Sequence, residues 1–383
     1  MRPMKSARFR HAPRCLIHPP TRRCGMLRPP PLGALLILCC ALALAQAGCA
    51  ARKTAVAPPP ARLPAAPVAP ARIGAAPFAI ARGFDGALWF TEFHADRIGR
   101  ITVTGAVTTF ALGGGLPERI VSGPDQALWF TDPAGNRIGR LDPSGAHAYV
   151  PLRTPDAGPA GITLGPDGNL WFTEHAANRI GRITPLGTLT EFVLPHPGGP
   201  AGIAAGPGGA LYFAENSSNR IDRLAPDGRV EEFPLPHPAS RPNSIVTAAD
   251  GSLWFTELAA NRVGRLTHAG ELSEFTLPTP LPPFDIAAAA DGAVWVTIAR
   301  AHTVCAITPD GRINAIYLPV TVYPSFIASG PDGNLWFTEP TGKIGRLTPA
   351  GAFTEFPAPP APSPAKNTRE AAIRRRRLLI GPH

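Results

Sequence analysis

Along residues 72–358 the apolar positions fall in short runs broken by Gly, Pro and Asp, with no sustained 3.6-residue spacing. That pattern predicts strands and tight turns rather than helices. One phrase recurs: an Ile-x-x-Gly segment, an Asp-Gly turn, Leu-Trp-Phe-Thr, then Arg-Ile-Gly-Arg-Ile, and finally Thr-Glu-Phe. Each segment has strand length, and the turn chemistry between the first two is that of a tight hairpin. Four antiparallel strands in roughly 40 residues make one blade of a propeller.

The phrase repeats seven times. Its aromatic anchor stands at Trp89, Trp129, Trp171, Tyr212, Trp254, Trp295 and Trp336, with gaps of 40, 42, 41, 42, 41 and 41 residues. A Pro-x-x-Ile segment opens twelve residues before each anchor, at Pro77, Pro117, Pro159, Pro200, Pro242, Pro283 and Pro324. A single repeat could not bury its Trp and Ile faces, so neighbours must stack. The expected fold is all-β, a seven-bladed β-propeller of four-stranded antiparallel blades. A β-solenoid would show shorter repeats. Blade 7 carries its own fourth strand, Phe353–Phe356, so the ring is expected to close without a strand from the other terminus.

Composition changes the picture outside the repeats. Five of six cysteines lie in the first 49 residues, and only Cys305 falls within the blades, so no disulfide framework is expected there. Residues 33–45 form an apolar run of signal-peptide length behind basic residues, ending in Ala45-Gln46-Ala47. Gly48-Cys49 follows and resembles a bacterial lipobox, with Gln46 where Leu is usual. Residues 1–49 are therefore expected to direct export, either with release to the periplasm or medium or with a lipid anchor at Cys49. Met26–Cys49 alone reads as a complete signal, so Met1 and Met26 are both candidate starts. Residues 50–71 form a Pro/Ala tether, and residues 359–383 a basic tail with Arg374–Arg377.

The net charge of +10 belongs to these flanks: residues 73–356 hold 19 basic and 26 acidic side chains. A mildly acidic propeller argues against nucleic acid as a partner. The chain is expected to be monomeric, with membrane contact only through Cys49.

Shared positions build the blades, and positions that differ between blades are candidates for function. Three residues after the anchor stand Glu92, Asp132, Glu174, Glu215, Glu257, Ile298 and Glu339. These carboxylates are expected to pair with blade arginines or backbone amides, or else to form a ring that binds a cation. The two residues after each Pro vary most, and blade geometry brings them to one mouth of the central channel. Glu118, Arg119, Asn243, Phe284, Asp285, Tyr323, Ser325 and Phe326 are the resulting candidates for holding a small molecule or peptide. Asp285 and Glu339 are candidate ligands of a hard cation. Asp285 could equally be a turn residue. His94, His175, His196 and His237 are expected on exposed rims. Blade 6 lacks the acid and has Thr303-Val304-Cys305-Ala306 in place of Arg-Ile-Gly-Arg.

The phrase at residues 165–192, Gly-Pro-Asp-Gly-Asn-Leu-Trp-Phe-Thr-Glu through Thr-Glu-Phe, resembles the virginiamycin B lyase (streptogramin lyase) family, and the resemblance extends over residues 73–356. It implies a seven-bladed propeller that opens a cyclic depsipeptide antibiotic by elimination at its ester, using Mg²⁺ and a histidine base. Taking a proton beside a carbonyl needs a base tuned near neutrality, and the enolate needs a cation. The family's last blade carries Glu-Pro-His-Gly-Ile, followed by a second acid after the Trp, and the blade before it carries Pro-His-x-Ile. Here the last blade reads Tyr323-Pro324-Ser325-Phe326-Ile327, and Phe284 stands at the penultimate histidine. Only Glu339 matches. The expectation is therefore an exported binding propeller without the family's base. The alternatives are a Mg²⁺-dependent lyase, a hydrolase similar to gluconolactonase-type propellers, and a surface scaffold.

Overall fold

A computed structural model describes residues 76–359. The expected export signal, Cys49, the expected tether and Arg374–Arg377 lie outside the described residues. Within them the chain forms seven four-stranded antiparallel sheets, each built from consecutive strands. Blade 7 is complete in itself, with strands Ile327–Ser329, Leu335–Glu339, Lys343–Leu347 and Phe353–Pro357. Ring closure is made by side chains: the Thr338 hydroxyl donates to the Phe78 carbonyl at 2.6 Å, and Arg346 Nη1 to the Val103 carbonyl at 3.0 Å.

The recurrent residues each have a mechanical task. In blade 1 the Trp89 indole N–H donates to Asp85 Oδ1 at 3.0 Å, so the hairpin Asp anchors the tryptophan. Arg100 reaches the other oxygen of Asp85 at 2.5 Å and lies over the Trp89 ring, while Phe110 of the fourth strand stacks on it at 5.2 Å. Trp129 and Trp336 repeat the indole bond to Asp125 and Asp332. In five blades the phenylalanine after the Trp lies directly opposite the glycine of the third strand, as in Phe90↔Gly99 and Phe337↔Gly345. A Cβ on Gly99 would sit 2.1 Å from the Phe90 ring, so only glycine fits beneath it.

Blade 6 departs from the repeat coherently. Val296 faces Cys305 where five other blades pair Phe with Gly, so a smaller side chain on one strand offsets a larger one on its partner. Ile298 faces Thr303 where others pair an acid with a base, and all four are fully buried. Burial pushes the Cys305 thiol up to about 12, which makes it a packing residue rather than a nucleophile.

In five blades a threonine near the end of the second strand ties neighbouring blades together. Its hydroxyl accepts from a backbone N–H within the blade and donates to a carbonyl of the next. Thr297, for example, accepts from Asp285 N–H at 3.1 Å and donates to Ser325 O at 2.5 Å. Thr91, Thr131, Thr173 and Thr338 make equivalent bridges. Blade 4 has Ala214 instead, and the Asn216 amide takes over by donating to Pro242 O at 3.2 Å. Thr297→Val should strand one buried donor and one buried acceptor and cost about 1–3 kcal/mol. Urea denaturation checks this, and an unchanged midpoint would refute it.

Candidate functional site

The innermost strands start at one end of the channel, and their alternation decides which residues face it. The second residue after each Pro lines a cavity of about 150 Å³: Ala79, Arg119, Gly161, Gly202, Ser244, Asp285 and Phe326. The isoleucine that follows in each blade forms the layer next to it. In blades 3, 4 and 5 the inner strands are longer and bulged, Pro159–Leu164, Pro200–Ala205 and Pro242–Thr247. They come close together there: a Cβ on Gly161 would lie 2.4 Å from Ala201 O, and one on Gly202 2.3 Å from Asn243 O.

Arg119 crosses this cavity. Its Nη1 pairs with Asp285 Oδ1 at 3.4 Å and its Nη2 donates to Ser244 Oγ at 3.2 Å. The guanidinium lies 4.3 Å from the centroid of the Phe326 ring. Ser244 Oγ donates to Asp285 Oδ1 at 2.6 Å, and the Ile327 N–H donates to Oδ2 at 3.0 Å. Asp285 is buried in this network and is not a turn residue. Both of its oxygens are engaged.

Aromatic side chains cover one arc of the mouth. Phe326 meets Phe78 at 4.5 Å and Phe284 at 5.0 Å, and Phe93 extends the group from Phe78 at 5.8 Å. The opposite arc carries only Ala160, Gly161, Ala201 and Gly202. Glu118 and Asn243, one on each side of that small arc in blade order, are half-buried. Glu118 makes no side-chain hydrogen bond to a described residue. Burial raises its carboxyl above the usual range, and the Arg119 charge opposes the shift.

The structure separates other candidates from the cavity. Tyr323 is exposed and packs edge-on against His302 at 4.6 Å. Ser325 is buried, and its hydroxyl reaches only the Tyr323 carbonyl, at 3.5 Å. The acids after the anchors are fully buried, each opposite a residue of the third strand, as in Glu92↔Arg97 and Glu339↔Lys343. Glu92 pairs with Arg97, and Asp132 with Arg137 at 2.7 Å. Glu215 pairs with Arg220 at 2.5 Å, whereas Glu174, Glu257 and Glu339 face a base across the strands without an ion pair to it, so the expected pairing is seen in three of the six. Glu339 is raised to about 7, by burial first and then by Glu355, with Lys343 opposing. Among the described residues, no group of three or more His, Cys, Asp or Glu side chains is placed to hold a metal ion.

Sequence reading did not single out Ser244, which completes the Arg119–Asp285 network. It also missed His302, whose Nδ1 lies 2.8 Å from Val322 O. His175 is half-buried rather than exposed, with Nδ1 3.2 Å from Pro200 O.

Seven four-stranded blades in a ring define the chain as a seven-bladed β-propeller. The profile of the virginiamycin B lyase family matches residues 65–199 and 196–366. The chain belongs to that family. Among solved structures it is similar to a streptogramin B lyase, at 36% identity over 72% of this chain and 94% of that one, with a TM-score of 0.69. It is equally similar to virginiamycin B lyase from Staphylococcus aureus, at 36% identity over 71% and 94% of the two chains, with a TM-score of 0.68. A catalytically inactive His-to-Ala variant of that enzyme with quinupristin matches at 35% identity over 73% and 96%, with a TM-score of 0.67. No curated protein matches the sequence.

Proposed function

We propose that this chain is an exported binding propeller. It holds a small molecule or peptide at one channel mouth and does not linearise streptogramins. The observation that carries this reading is the residue at the family's base position. Ser325 stands there, buried, with a hydroxyl that meets only a backbone carbonyl. A serine without an adjacent base cannot take a proton from carbon at neutral pH. The binding half of the site is better furnished: an aromatic arc, a polar network in the channel and an open arc of small residues. Apolar walls with a few placed polar groups are what an organic ligand requires.

The test is mass spectrometry of a streptogramin B antibiotic incubated with the purified protein and Mg²⁺. The expected outcome is intact antibiotic at every time point. Efficient ring opening would refute the reading.

A second reading, a divergent Mg²⁺-dependent lyase or a gluconolactonase-like hydrolase, is favoured by His175 and His302. Each has Nδ1 at a backbone carbonyl, which leaves Nε2 for chemistry. If the antibiotic is opened, loss of that activity in His302→Ala or His175→Ala would identify the replacement base.

A further inference from the structure

Arg119 occupies a pocket that has the makings of a cation site in its own right. The pocket offers a buried carboxylate, Asp285, held in place by the Ile327 N–H and the Ser244 hydroxyl. It offers an aromatic face, Phe326, braced by Phe78 and Phe284. A carboxylate and an aromatic face converging on one point favour a cation over any neutral or anionic group.

The occupant is held loosely. Its bonds of 3.4 and 3.2 Å are longer than the 2.7–2.9 Å or so of well-formed charge-assisted pairs. The arm is long, a quarter of its side chain is exposed, and fixing it costs rotamer entropy. A second partner lies beside it: Glu118, whose carboxyl is electrostatically coupled to Arg119 and makes no side-chain hydrogen bond to a described residue. Arg119 can therefore leave Asp285 without losing all charge compensation.

We propose that Asp285, Ser244 and Phe326 form an organic-cation pocket and that Arg119 is its displaceable resident. The ligand class is a guanidinium or primary ammonium on a slender body. On entry it takes over the Asp285 carboxylate and the Phe326 face, and Arg119 turns toward Glu118. The inference rests on the mouth being a binding site and names the chemistry it selects.

The experiment uses the full chain and two probes: ethylguanidinium, and N-acetylarginine methylamide for a cation presented by a peptide. In Arg119→Met the pocket loses its resident, so calorimetry should show ethylguanidinium binding about tenfold or more tightly than to the wild type. Adding Asp285→Asn to that variant should abolish the gain. Tighter binding of the acetylarginine probe would point to a peptide ligand, and tighter binding of ethylguanidinium to a free small cation. If Arg119→Met does not fold, the wild type still answers, because the Arg119 Nε–H NMR signal should shift on titration with ethylguanidinium and not with acetate. Equal affinity in wild type and variant, a gain that survives Asp285→Asn, or an unmoved Arg119 signal would overturn the proposal. Neutral N-acetylphenylalanine methylamide at the mouth separates the two failures. If it binds while the cations do not, only the cation pocket falls; if nothing binds, the mouth reading falls too.

Discussion

Trp336→Ala should be among the most damaging single substitutions in the ring, costing about 3–5 kcal/mol. Trp336 is fully buried and belongs to the cluster that joins blade 7 to blade 1, with Ala79, Ile80 and Ile344. Three restraints fail together with the lost volume. Asp332 loses the indole N–H that binds it at 3.1 Å, Phe356 loses its stacking partner at 5.4 Å, and Arg346 loses the ring beneath it. Because ring closure is made by side chains alone, no shared sheet compensates. Trp171→Ala is the internal comparison. That ring is only part-buried and stacks on the exposed Phe192, so its loss should cost clearly less. Urea denaturation of both variants checks the order, and equal or reversed losses would refute the account of closure.

The tryptophans show why so much of the fold was legible in the sequence. The polar and stacking partners of an anchor such as Trp89 or Trp336 lie in its own repeat: the Asp of the hairpin, the Arg of the third strand, the Phe of the fourth. A local constellation that recurs along the chain identifies a blade without any long-range information. The mouth is a different case. The sequence places the residues after each Pro at one end of the channel, and the cavity is lined by the second of each pair. What it could not show is the partner of Arg119, since Ser244 and Asp285 lie 125 and 166 residues further on. Only ring closure brings blades 2, 5, 6 and 7 onto one axis. Ser244 escaped notice because a serine among small residues carries no signal until its neighbours are known. The acids after the anchors were ambiguous for the opposite reason: their role depends on cross-strand register, and the register places an arginine opposite five of the six and Lys343 opposite the last.

Register also identifies a second blade that breaks the Phe–Gly rule. Blade 4 pairs Phe213 with Asp222 where its counterparts pair Phe with Gly, or Val with Cys in blade 6. Asp222 is about 1% exposed and shares Arg220 with Glu215 and Glu232, at 3.0, 2.5 and 3.2 Å. Three carboxylates around one guanidinium cannot all be ionised cheaply in a buried site. Burial first, and then Glu215, raise the Asp222 carboxyl to about 7. Glu174 and Glu339 are likewise raised to about 7, in each case by burial and then by a neighbouring glutamate. In the unfolded chain such groups titrate near about 4. Between those values the native state keeps protons the unfolded state has released, so stability falls as pH rises from about 4 to 7. The hairpin aspartates act in the other direction. Burial alone would raise Asp85, yet the hydrogen bonds from Trp89, Arg100 and the Ala87 N–H hold it below its usual value, so its contribution is lost only in stronger acid. The protein should therefore be most stable near pH 4–5 and less stable at pH 8. Asp222→Gly should remove part of that slope. It restores the Phe–Gly pair and leaves Arg220 with Glu215 and Glu232. The expected gain is on the order of 2 kcal/mol at pH 8, with little change at pH 5. Denaturation midpoints at the two pH values read this directly, and a loss of stability at pH 8 would show that Arg220 needs Asp222 more than the blade needs glycine.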